Sequence, residues 1–156
     1  MATIGLYTAT ENELGAVQRA ASRLDGIDLA VRSEGDFDDI GDVDAFVDEV
    51  DDATAVVLWL HGAEESLPGY EHAVERLTEA GVPLVVKSTG DAYAVEDTTV
   101  APADRDRAYE YLDRGGVVNL ANCCRFLAAE YGGLGETAFD GDYDDPASLP
   151  TEGVYH

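Results

Sequence analysis

Four short stretches gather small hydroxyl residues, glycine and one imidazole at the point where an apolar run gives out. They are Thr8-Ala9-Thr10, Ser33-Glu34, His61-Gly62 and Ser88-Thr89-Gly90-Asp91. The third closes the run VVLWLHG at residues 56–62. If each run is a strand and the strands are parallel, all four ends open on one edge of a sheet, where ligands of open α/β folds bind. Thr8, Thr10, His61, Gly62, Ser88, Thr89 and Asp91 are therefore the candidate substrate-binding residues, forming a shallow polar rim with His61 near its middle. An imidazole there could bind a metal or an anionic group, or move a proton, because its charge state is poised near neutrality. Equally, it could cap a helix or bond a neighbouring carbonyl, and position alone does not separate these roles. No metal set is assigned. A single histidine makes a poor site, His72 falls on a helix and His156 at the chain end, and no pair has zinc-ligand spacing.

Several other chemistries are disfavoured. No GxGxxG follows the first strand, so the dinucleotide fingerprint is absent, and no GxxxxGK[ST] offers an ATP-phosphate loop. The first loop, TATENELG, is hydroxyl-rich like a flavodoxin phosphate loop but lacks the internal glycine. A phospho-receiver would carry aspartate where His61 stands. Cys123 and Cys124 are adjacent, and neighbouring helical positions point about 100° apart, so the two thiols do not clamp one metal. With no further cysteine there is no disulfide framework. The expectation is one buried thiol and one half-buried. Asn119 and Asn122 fall on the polar side of the last helical pattern, where such amides more often satisfy nearby backbone than bind a ligand. No catalytic residue is assigned.

The elements that must position the rim are legible from periodicity. Strands are expected at 3–8, 27–32, 54–60 and 82–88. The second alternates apolar and polar, as at a sheet edge; the third is apolar throughout, as when both faces are covered. Helices are expected at 11–24, 43–50, 69–80, 103–113 and 117–131, with Thr10 and Glu13 as a capping box on the first. Tyr109 and Leu112 are the expected contacts of the fourth. Val117, Leu120, Ala121, Cys124, Leu127, Ala128 and Tyr131 make a stripe on the fifth. Residues 34–42 read as a loop, and VEDTTVAP at 95–102 has room for one more short strand. Alternation of this kind gives a parallel sheet between two helical layers. The expectation is an α/β, flavodoxin-like three-layer domain over 1–133, with four or five mostly parallel strands in the order 2-1-3-4. Residues 134–156 read as an extended acidic linker.

Composition excludes more than it identifies. The 156 residues suit one domain, and 46% are apolar, enough for a core. Acids outnumber bases 33 to 9, leaving a net charge of −24, and Lys87 is the only lysine. The carboxylates run along the whole chain, so they are no acidic tail, and no basic face offers itself to nucleic-acid phosphates. Adaptation to high salt, which screens self-repulsion, accounts for the excess. No apolar run is long enough for a membrane span and the N-terminus lacks a basic signal region, so the chain is expected to be cytoplasmic.

Three pieces taken together, LWLHG at 58–62, GGVVNLANCCRFLAAEYGG at 115–133 and LPTEGVYH at 149–156, resemble a known family. The combination is similar to the N-terminal region of the large subunit of cobaltochelatase, the CobN type, which is related to the large subunit of magnesium chelatase. In that family an N-terminal α/β region precedes a Gly-x-Tyr-His-Pro element. Gly153-Val154-Tyr155-His156 matches it, and the sequence stops where the proline would fall. The likeness covers nearly the whole chain. It is specific for the helix with the GVYH element and unspecific for the strands. Family members are many times longer, so the resemblance implies a domain whose metal-insertion body is missing, inactive alone. It implies as partners the rest of the large subunit, ATPase motor subunits and a corrin precursor. Cobalt and ATP would serve the whole complex, with neither expected on this piece, and nucleic acid and membrane are not expected partners. His61 would contribute to tetrapyrrole or metal binding. The alternative is a stand-alone flavodoxin-like module that binds a small ligand or docks without catalysis.

Overall fold

A computed structural model describes residues 2–8, 11–24, 26–33, 39–60, 70–88 and 98–131. Its elements are β1 (Ala2–Thr8), α1 (Glu11–Ala21), β2 (Ile27–Ser33), α2 (Ile40–Val50), β3 (Ala55–Leu60), α3 (Tyr70–Ala80), β4 (Leu84–Ser88), α4 (Pro102–Arg114) and α5 (Gly116–Tyr131). The strands form one sheet in the order β2-β1-β3-β4, and every pairing is parallel. The expected α/β, flavodoxin-like architecture is therefore the observed one. The stretch 134–156 and the Thr10–Glu13 capping box lie outside what is described.

Period-two alternation sends the central strands into two cores. Ile4, Leu6, Val57, Trp59 and Val85 face α1, α4 and α5, where Val17, Tyr111, Leu120 and Leu127 are buried. Tyr7, Val56, Leu58, Leu60 and Val86 face α2 and α3, where Val43, Phe46, Val47 and Leu77 close the second core. All six residues of β3 are buried, as an apolar strand covered on both faces must be. β2 shows the half-exposed pattern of an edge. Gly5 lets α2 approach β1 closely: a Cβ there would stand 2.9 Å from Val50 Cγ1 and 3.2 Å from Val56 Cγ2.

The structure corrects three expectations and describes part of a fourth. α2 starts at Ile40, within the stretch read as loop, because Asp39 caps it. The Asp39 carboxylate accepts from the Asp42 backbone N–H at 3.2 Å, and Asp42 returns the bond to the Asp39 N–H at 3.3 Å. Of the stretch 95–102 that had room for a further strand, 95–97 lie outside the described residues; 98–102 form no strand, and side chains there meet the outer edge of β4. Thr98 Oγ1 accepts from Val86 N at 2.9 Å, Thr99 Oγ1 from Leu84 N at 2.9 Å, and Thr99 N donates to Leu84 O at 2.8 Å. Such coverage removes a template for unwanted strand pairing. Both cysteines are fully buried, at 2% and 3% exposure. Asn119 and Asn122 are buried too, because α5 is wedged among α1, α4 and the sheet and presents more than one stripe to the core.

Candidate functional site

Parallel pairing brings the carboxyl ends of all four strands to one edge, and the register makes them nearly level. Thr8 at the end of β1 stands opposite Ser33 on β2 and Trp59 on β3, while Leu60 pairs with Ser88 on β4. The chain moves outward from β1 to β2 on one side and from β3 to β4 on the other, so the order reverses between β1 and β3. That switch point is where open α/β sheets form a ligand crevice. Thr8 borders it directly, and Leu60, the residue before His61 in the chain, ends the strand on its other side. Of the candidate residues the structure brings Thr8 and Ser88 to the exit edge as strand termini. Thr10, His61, Gly62, Thr89 and Asp91 lie outside the described residues.

Thr8 is 1% exposed and Ser33 5%, and neither is without a partner. Two neighbouring hydroxyl residues at buried strand ends give a polar floor of donors and acceptors that do not change charge. Ser33, at one of the expected strand exits, stands opposite Thr8 in register.

A second group at this edge is not among the candidate residues. Lys87, penultimate in β4, lies beside Trp59 and has only 11% of its side chain exposed. Its Nζ stands 2.9 Å from Asp113 Oδ1 and 5.0 Å from the centre of the Tyr109 ring. Tyr109 donates its hydroxyl to Val86 O, and burial raises its phenol above the usual tyrosine range. The signal was a charge inside the run VPLVVKS, in a chain with a single lysine. α4 starts beside the beginning of β4, where Thr99 meets Leu84, and reaches Lys87 with Asp113 near its end. α4 therefore rises toward the exit edge. α5 begins there and returns, so that Tyr131 at its far end meets Ala101 N at 3.3 Å and Asp104 Oδ2 at 2.6 Å.

On the opposite helical layer His72 Nε2 meets Asp44 Oδ1 at 2.5 Å, and Arg76 bridges Asp44 and Asp48 at 3.0 and 2.8 Å. The His72 hydrogen bond, aided by Arg76, holds the Asp44 carboxyl below the usual carboxylate range. Asn119 Nδ2 donates to Gly115 O at 2.8 Å, the backbone-satisfying role expected of it, and Asn122 Oδ1 accepts from Arg125 at 3.1 Å. Burial pushes the Cys124 thiol up to about 12 and the Cys123 thiol well above its ordinary value, so neither offers a nucleophilic thiolate at neutral pH. Among the described residues no three His, Cys, Asp or Glu side chains cluster as a metal site. A hollow of about 250 Å³ lined by Thr3, Asp28, Leu29, Ala30 and Glu49 sits at the outer β2 edge near the strand starts. It is far from the switch point, and the reversal of strand order is the stronger physical guide to a ligand.

No protein-family model matches the chain, and no curated protein matches it in sequence. Among solved structures it is similar to the catalytic subunit of cobaltochelatase from Mycobacterium tuberculosis, with a TM-score of 0.70 and 22% identity. The match covers 96% of this chain and 12% of that one, so the chain spans about an eighth of the length of its structural neighbour. At this identity the likeness is one of fold: the layered architecture derived above recurs, nearly whole, within a much longer catalytic subunit.

Proposed function

We propose that this chain is the N-terminal α/β domain of a cobaltochelatase large subunit of the CobN type, contributing to ATP-dependent cobalt insertion into a corrin ring during cobalamin synthesis. The observation that carries the reading is the fold match over 96% of the chain to a cobaltochelatase catalytic subunit. It is supported by LWLHG, the α5 run and GVYH, which suggested the same family from sequence. In this reading cobalt(II) is the cargo, ATP is consumed by motor subunits, and the remainder of the large subunit carries the insertion centre. The piece alone is inactive and works in the cytoplasm. His61, with Gly62, Thr8, Thr10, Ser88, Thr89 and Asp91, contributes polar contacts to the macrocycle or the metal at the strand exits. A surface of net charge −24 repels an anionic macrocycle except where local donors intervene, so the rim assists binding and is not the main clamp.

A second reading is a small-ligand or docking module without catalysis. An apolar docking face would expose a patch of several hundred Å². Among the described residues Val118, half exposed, is the one exposed large hydrophobic side chain, which disfavours an apolar version of that reading. Deleting the gene in cells that depend on making their own cobalamin tests the proposal. Growth should then require added cobalamin and be restored by the intact gene. Unchanged growth of the deletion strain without cobalamin would sink it.

A further inference from the structure

All nine cationic side chains belong to described residues, and their partners divide sharply. Arg32, Arg76, Lys87, Arg105 and Arg114 each meet a carboxylate at ion-pair distance. Arg107 lies over the rings of Tyr111 and Phe126, at 5.8 and 5.2 Å. Arg19, Arg23 and Arg125 remain. Among the described residues none of the three meets a carboxylate, although acids outnumber bases 33 to 9.

These three are neighbours. Arg19 lies in the last turn of α1 and Arg23 four residues on, in the turn that extends the helix through Arg23 N to Ala20 O at 3.0 Å. Residues four apart on such a turn share a face. Arg125 crosses the α1–α5 seam: its Nη2 donates to Arg23 O at 2.9 Å and its Nη1 to Asn122 Oδ1 at 3.1 Å. The Asn122 and Arg23 contacts fix the Arg125 guanidinium without neutralising it. Arg19 and Arg23 are both exposed. The result, among the described residues, is a cluster of three guanidinium groups without a carboxylate partner on a molecule of net charge −24. It lies at the far ends of α1 and α5, away from the strand exits.

We propose that this α1–α5 face docks an Asp/Glu-rich surface of another polypeptide. Guanidinium forks match carboxylates in geometry. The acidic remainder repels an acidic partner everywhere else, so the cluster fixes where and in what orientation such a partner binds. An extended nucleic acid is a poorer occupant, because its phosphates would run past three arginines onto repelling carboxylates. The recognition is polar, consistent with the scarcity of exposed large hydrophobic residues among those described. A partner seated here leaves the strand-exit edge open. The inference does not depend on the cobaltochelatase reading.

The test places a photo-cross-linking amino acid at the exposed Ser22, next to Arg23 in the chain and bonded through its hydroxyl to Arg19 O at 2.7 Å, and irradiates the tagged chain in its own cells. The expected product is a cross-link to a second polypeptide through an Asp/Glu-rich peptide identified by mass spectrometry. In R19E/R23E/R125E the product should fall about tenfold or more, since like charges then face each other. Changing the partner's identified acids to lysine should restore it. An unchanged yield in the triple variant overturns the proposal. So does a cross-linked peptide without acids, an adduct with nucleic acid, a cross-link within the same chain to residues 140–145, or no cross-link at all. An unaltered melting temperature of the triple variant keeps a loss of yield from being a loss of fold.

Discussion

At the scale of residues, the clearest constraint is steric. Gly5 sits in β1 under the end of α2, and an added methyl would press on Val50 and Val56. Both are fully buried, so they have little room to yield. Gly5→Ala should destabilise the fold by about 1–3 kcal/mol, as overpacking does, measured by chemical denaturation. Asp44 gives a pH signature. Its carboxyl is held low chiefly by the His72 hydrogen bond. Its contribution is therefore present above the unfolded carboxylate value of about 4 and is lost as pH falls through the depressed folded value. Asp44→Asn should flatten that part of the acid limb in a plot of melting temperature against pH; an identical limb would show that the contact contributes nothing. What was legible at this scale was residue type at strand ends. Thr8, Ser33 and Ser88 do terminate strands at the exit edge, as their types and positions in the sequence suggest, while Lys87 joins the rim only through register.

At the scale of elements, alternation of short apolar runs with helical periodicity sufficed to read four strands, five helices and the strand order. The misreadings share a cause: each depended on a partner distant in sequence or on side chains standing in for backbone. The start of α2 is made by Asp39 and Asp42, an acid in both places of the capping box, which a search for Ser/Thr with Glu/Gln passes over. Asp39→Ala should cost about 1 kcal/mol of stability, read as a lower denaturation midpoint with unchanged slope. The β4 edge looked open to a fifth strand, yet Thr98 and Thr99 hydroxyls take its hydrogen bonds. The breadth of the buried face of α5 was missed because α1, α4 and the sheet press on it from three directions, and periodicity reports only one stripe.

At the scale of the molecule, the charge excess sets behaviour without setting the fold. Acids outnumber bases 33 to 9, so even with every cation paired most carboxylates are left to repel one another. In molar salt the screening length is about 3 Å and at 0.1 M about 10 Å. Stability should thus fall as salt is lowered through this range, and a melting temperature indifferent to salt would contradict adaptation to high salt. Among the described residues no helix is long and apolar enough to cross a membrane. The most direct test of the functional account is the rate of cobalt insertion into a corrin precursor by cell extract supplied with ATP. We predict that extract lacking this chain loses insertion, that adding the purified chain restores it, and that the chain alone inserts none. Equal rates with and without the chain would contradict the account.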